Sequence, residues 1–249
     1  MENLPRTAHA RRSPETPHTG FQREELLMAP TIRQLADALR FMGVPDGSAE
    51  MEETARRAFD DVLRTARPRK IWLRLPLRAE AGAIFIGDGI SCRSADLSRL
   101  FRHCRSCVVM AVTLGAEVDR RISALQLKSM VKGLAFDACA SVMADALCDE
   151  TERDAACRLK AGEFLTQRFS PGYGDVPLEF SAPLLKAMEA ERRIGVILSA
   201  RGMMIPVKSI TALAGISDRR ETRLRSCDVC GLASCQYRKE GGLCHEKGM

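Results

Sequence analysis

Arg168-Phe169-Ser170-Pro171-Gly172-Tyr173-Gly174-Asp175-Val176-Pro177 lies between two stretches with helical spacing. An arginine, two glycines, two prolines and a tyrosine share these ten residues. A helix interior is excluded here, because Pro171 and Pro177 lack amide donors and glycine disfavours helix. The pattern predicts a rigid, irregular loop in which Gly172 and Gly174 let a ligand approach the backbone closely. Arg168 offers a two-pronged, charge-assisted pair to a carboxylate, and Tyr173 offers a flat face and a hydroxyl. Together they suit a small ligand with a carboxylate and an aromatic base. The bland alternative is a plain connector.

Upstream, residues 1 to about 28 are rich in Pro, Arg, Thr and His without apolar periodicity, the pattern of a disordered tail. Residues 31–43 and 48–66 show helical spacing, with Met51, Ala55, Ala58, Phe59 and Leu63 along one stripe of the second. Pro68 ends that helix. Ile71, Leu73, Leu75 and Leu77 then alternate with Trp72, Arg74, Pro76 and Arg78, which predicts a strand with one apolar face. Pro76 argues for a position at a sheet edge. Gly82–Gly87 is the expected partner strand, reached through a short turn.

A short helix follows over 95–103, then the apolar run Cys107–Leu114, of the kind found in buried strands. Gly115 ends it, and Glu117 to Ile122 opens another helix. From about 127 to 166 the chain is helical and alanine-rich, which predicts two helices broken near Asp149–Asp154. Beyond the loop come a helix over about 181–192 and short strands near 194–199 and 208–215. Strands interspersed with helices, without regular alternation or a glycine-rich Rossmann fingerprint, predict an α+β fold.

The loop resembles the S-adenosylmethionine-binding motif of the activation domain of cobalamin-dependent methionine synthase, Arg-x-x-x-Gly-Tyr with a proline four residues after the tyrosine. Arg168, Gly172, Tyr173 and Pro177 stand at the matching positions. The segment from Met203-Met204-Ile205-Pro206-Val207-Lys208-Ser209 to Ile216 is similar to the second loop and strand of that family's pocket. The resemblance is to free-standing, single-domain members and spans roughly residues 70 to 240. It implies a twisted, largely antiparallel sheet carrying long helices, here over residues 29–216.

The resemblance also implies binding of S-adenosylmethionine through Arg168, Gly172 and Tyr173. The ligand's methyl would go to cobalamin on a partner protein, in reductive methylation that reactivates a cobalamin-dependent methyltransferase. The implied partner is a corrinoid-binding methyltransferase, or a methionine synthase lacking its own activation domain. Because the sulfonium already makes the methyl electrophilic, positioning suffices and no side chain need act as acid, base or nucleophile. Whether the chain counts as an enzyme, as a component of cobalamin-dependent methionine synthase, stays open. Asp137, Asp145, Asp149 and Glu163 are candidates for the ligand's amino group, sulfonium or ribose, against the plainer reading of helix-face charges.

Composition narrows the setting. The 249 residues have no uninterrupted apolar stretch of membrane-spanning length. The N-terminus lacks the apolar centre of a secretory signal, so the expected compartment is the cytoplasm. The net charge is +6, with Arg219, Arg220, Arg223 and Arg225 as one basic run, either a solvated surface or a docking surface for an acidic partner. Aromatics make up only 5% of the chain, so nucleic-acid binding is not expected.

Ten cysteines in a reducing compartment call for burial or a metal rather than disulfides. Cys227, Cys230, Cys235 and Cys244 fall within eighteen residues of a polar segment, 217–249, where core packing explains them poorly. Four thiolates, with His245 as a substitute for Cys244, suit zinc or an iron–sulfur cluster. The spacing lacks the paired knuckles of structural zinc and favours iron–sulfur. Such a cluster departs from methionine synthase's own activation domain and would supply the electron of reductive methylation, fed by a separate donor. The alternative function is a metal or iron–sulfur interaction or electron-transfer module without methyl transfer. A standalone methyltransferase is disfavoured by the missing Rossmann motif. Cys139, Cys148 and Cys157 on helical sequence are expected in packing, and Cys104–Cys107 lacks a second pair nearby.

Overall fold

The computed structural model describes residues 18–19 and 30–220. A capping box opens the first helix. Thr31 accepts the Gln34 amide, and the Gln34 side chain accepts the Thr31 amide at 2.8 Å. Helix α1 (Ile32–Phe41) buries Leu35, Ala38 and Leu39, and α2 (Ala49–Thr65), capped by Ser48, buries Ala55, Ala58, Phe59 and Val62. The polar faces of both stay in water, as their periodicity requires.

Strand β1 (His18–Thr19) pairs with β2 (Arg69–Glu80), which turns at Gly82 into β3 (Ala83–Ile86) and then β4 (Ile90–Arg93). Helix α3 (Ala95–Leu100) leads to β5 (Cys104–Thr113), and α4 (Ala116–Lys128) leads to the long α5 (Met130–Ala156). Next come β6 (Phe164–Leu165), a short 3-10 turn at Leu178–Phe180, α6 (Ser181–Ala187), α7 (Ala190–Ile194), the hairpin β7 (Ile197–Leu198) with β8 (Met204–Ile205), and β9 (Ser209–Ser217).

The main sheet runs β4-β3-β2-β5-β9-β6, with β1 added beside β2, and all its pairings are antiparallel. Period-2 alternation splits its side chains between two cores. Trp72, Val108, Met110, Val112, Ala212, Ala214 and Ile216 pack against α1, α2, α4 and α5. Leu73, Leu75, Cys107, Val109, Ala111 and Leu213 pack on the other face against α3, α6 and α7. The fold is therefore α+β, an antiparallel sheet between two helical layers. Gly215 shows how tight the second core is: a Cβ there would sit 2.5 Å from Cys104 Sγ and 2.7 Å from Phe101.

Four details depart from the sequence reading. Strand β2 is an inner strand, bonded to β5 on one side and to β1 and β3 on the other. Pro76 is tolerated because its carbonyl faces the end of β3, where it accepts the Gly87 amide at 2.9 Å, so the missing donor points past that strand's end. The long helical region breaks at Ser129, not at Asp149–Asp154. Its polar residues there are satisfied in place: Glu150 pairs with Lys70 at 2.5 Å, and the Thr151 hydroxyl donates to Leu147 O at 2.7 Å. The helix after the loop is two helices, divided at Glu189, whose φ of 52° is left-handed and whose carboxylate accepts bonds from Arg192 and Arg193. Within the segment expected to be a disordered tail, His18–Thr19 forms β1, and His18 stacks on Trp72 with ring centroids 4.2 Å apart.

Candidate functional site

The arginine loop leaves β6 and is tied to the sheet before it turns. The Thr166 amide donates to Gly215 O at 2.8 Å, and Phe169 exchanges backbone hydrogen bonds of 2.8 and 2.9 Å with Leu213. The two segments that carry the resemblance are thus neighbours along one strand, β9. The second segment supplies β8 as well as β9, and the Thr211 hydroxyl lies 3.2 Å from Met204 Sδ.

Past Phe169 the chain folds on itself. Gly172 N donates to Val176 O at 2.9 Å, Val176 N donates to Tyr173 O at 3.1 Å, and Gly172 and Gly174 adopt φ of 91° and 55°. Only glycine adopts such angles at little cost. At Gly172 an added Cβ would meet nothing nearer than Leu178 at 3.4 Å, so the backbone there is open to approach. Gly174 is the reverse case, its missing Cβ space filled by the Asp96 carboxylate. Tyr173 is 60% exposed.

Asp175 clasps this loop to α3. Its carboxylate accepts the Ser94 hydroxyl, the Ala95 amide at 2.6 Å and the Asp96 amide at 3.4 Å, while its own amide donates to Asp96. Burial alone would raise the Asp175 pKa, but these hydrogen bonds outweigh it and hold the carboxyl below its ordinary value.

Arg168 turns toward α5. Its guanidinium donates to Asp149 and, at 3.3 Å, to Glu152, with Asp145 at 4.0 Å. These three acids are spaced i, i+4, i+7 and so share one face of α5. Burial opposes the arginine's charge, yet Cys148, ionised at the high pH where an arginine titrates, together with Asp149 and Glu152 outweighs it and raises its pKa. Cys148, one residue from Asp149, is pushed up to about 12 by burial and stays a protonated thiol. The cluster gathers one guanidinium and three carboxylates beside a loop with an open backbone and an exposed tyrosine.

Of the acidic candidates, Asp145 and Asp149 therefore reach Arg168. Asp137 instead pairs with Lys208 at 2.9 Å, and Glu163 takes a two-pronged bond from Arg74 at 2.7 and 2.9 Å. Glu152, Ser94 and Asp175 were missed. The 145/149/152 stripe was visible as helical spacing, whereas nothing in the sequence links Ser94 with Asp175. Cys139 and Cys148 are buried as expected, but Cys157 is exposed at the end of α5. Cys104 and Cys107 are buried in the sheet, and no group of metal-ligating residues occurs among the described residues. Cys227, Cys230, Cys235 and Cys244 lie outside the described residues.

Among the described residues no helix is long and apolar enough to cross a membrane. No family model matches the chain, and no curated protein does. The structure is similar to a solved one described as the crystal structure of the MetH reactivation domain bound to AdoHcy. The match has a TM-score of 0.59 and 15% identity, covering 89% of this chain and 85% of that one. The chain has the fold of that reactivation domain.

Proposed function

We propose that this chain binds S-adenosylmethionine on the Arg168–Pro177 loop and presents its methyl group to cobalamin held on a partner methyltransferase, in reductive methylation that reactivates the partner. The observation that carries this reading is the coincidence of two features: a fold shared with a domain solved with AdoHcy, and Arg168, Gly172 and Tyr173 on one loop bonded to β9. AdoHcy is what remains of S-adenosylmethionine once the methyl has left.

The charges of the cluster suit the ligand. Its carboxylate would meet the Arg168 guanidinium, and its ammonium and sulfonium would lie near the carboxylates of Asp145 and Asp149. Gly172 would let the ligand against the backbone, and Tyr173 would cover a flat face. The carbon–sulfur bond of the sulfonium breaks as the methyl leaves, and the electron for the corrinoid comes from a separate donor. The chain's contribution is to hold the methyl at a fixed place and angle. The four C-terminal cysteines are proposed as ligands of zinc or an iron–sulfur cluster on the strength of their spacing.

The test is transfer of label from methyl-labelled S-adenosylmethionine to a corrinoid methyltransferase that lacks its own activation domain, under a low-potential reductant. Label on the corrinoid that depends on this chain supports the reading. Equal labelling without the chain contradicts it.

A further inference from the structure

Apart from the arginine loop, a cavity of about 270 Å³ opens on the helical side of the sheet. Its floor is Trp72, Val108 and Ile216, one residue from each of β2, β5 and β9, and its wall is Ala155 and Leu159 at the end of α5. Its rim is cationic, with Arg74, Arg158 and Lys160 converging on it and His18 stacked on the indole. At about 30 Å³ per water-sized group, the space holds roughly nine non-hydrogen atoms.

The local charges do not cancel. Glu150 is taken by Lys70 at 2.5 Å, and Glu163 is gripped by both arms of Arg74. Asp154 serves the Trp72 indole N–H at 3.0 Å and Arg158 at 3.4 Å. Three carboxylates stand against Lys70, Arg74, Arg158 and Lys160, the last with no salt bridge of its own among the described residues but with its charge felt by Glu163. Among the described residues the cations outnumber the carboxylates by one at the mouth of an apolar, aromatic-floored space. That combination selects a compact anion with an apolar body, since a bare anion gains nothing from the floor and a neutral molecule nothing from the rim.

We infer that this cavity is a second small-molecule site, for a small organic monocarboxylate with a flat apolar body, independent of the Arg168 loop. Trp72 is the chain's sole tryptophan, so its fluorescence reports on the site directly. The experiment is titration of the full chain with benzoate, and with benzamide and inorganic phosphate as probes lacking the charge or the ring. Benzoate is expected to change the Trp72 emission saturably, with Kd on the order of 1 mM for so few atoms. Benzamide and phosphate should each bind about tenfold more weakly or worse. Lys160 is exposed, so Lys160→Gln should fold normally and weaken benzoate about fivefold. Saturating S-adenosylmethionine should leave the benzoate Kd unchanged, a result that does not depend on whether the loop binds it. No saturable response, equal response to benzamide or phosphate, or no effect of Lys160→Gln would overturn the inference. So would competition by S-adenosylmethionine, which would make the cavity part of the loop's site.

Discussion

Phe169 and Leu213 exchange two backbone hydrogen bonds, of 2.8 and 2.9 Å, and so fasten the start of the arginine loop to the middle of β9. The loop beyond is consequently presented from a rigid base, while Gly172 and Gly174 at its tip keep backbone angles that only glycine adopts easily. Substitutions at the tip and at the base should therefore behave differently.

At the tip, Gly172→Val is expected to weaken S-adenosylmethionine binding at least about tenfold. The positive φ adds strain of about 1–2 kcal/mol at a surface loop, too little to unfold the domain. Calorimetric titration and thermal melting on the same sample check this. Collapse of the melt together with binding would make Gly172 structural.

Arg168 serves the fold as well as the ligand, because it is the cation among Asp145, Asp149 and Glu152. Arg168→Ala is expected to cost ligand binding about 1.5–3 kcal/mol, the range for a lost bond to a charged group, and also to lower the melting temperature. Adding Asp149→Asn and Glu152→Gln should recover the melting temperature without recovering affinity. If the triple variant also regains affinity, the arginine acts only by neutralising α5.

The carboxylates of α5 give a further expectation. S-adenosylmethionine should bind more tightly than S-adenosylhomocysteine, which lacks the sulfonium charge, by about fivefold for partly exposed charges. Asp149→Asn should narrow that ratio. An unchanged ratio would place the sulfonium away from α5.

Asp175 links ligand binding to pH. Its carboxyl lies below its ordinary value, so the charged form and its hold on Ser94 and Ala95 persist through neutral pH and are lost only in acid. Asp175→Asn is expected to weaken binding at neutral pH, and Asp175→Glu to restore part of it. Glu163 acts on stability in the same direction, held at about 2 by the side-chain bond from Arg74 against an ordinary 4.5. Its contribution is complete above about pH 4.5 and is lost as pH falls toward 2. Discounted for partial exposure, that is about 1–2 kcal/mol. Chemical denaturation between these limits should show it, and Glu163→Gln should remove that part of the pH dependence.

Much of the architecture was legible because period decides it. Alternation from Ile71 to Leu77 marked β2, the apolar run Cys107–Leu114 marked β5, and the stripe through Ala55, Ala58 and Phe59 marked α2. Where the reading failed, long-range partners had overridden local signals. Glu150 and Thr151 look like a helix break until Lys70 and the helix's own carbonyl satisfy them. Pro76 looks like an edge residue until the short length of β3 is known. The site divides in the same way. Arg168, Gly172 and Tyr173 were visible as a local motif, but the clasp of Asp175 on Ser94 joins residues 81 apart, and no spacing rule reaches that far.

The central claim is that the loop holds S-adenosylmethionine, and calorimetric titration of the full chain with that compound tests it most directly. The account predicts saturable binding at one site through the loop, abolished or strongly weakened by Gly172→Val while the benzoate response of Trp72 persists. No binding in the folded protein, or binding that Gly172→Val and Arg168→Ala leave unchanged, would contradict it.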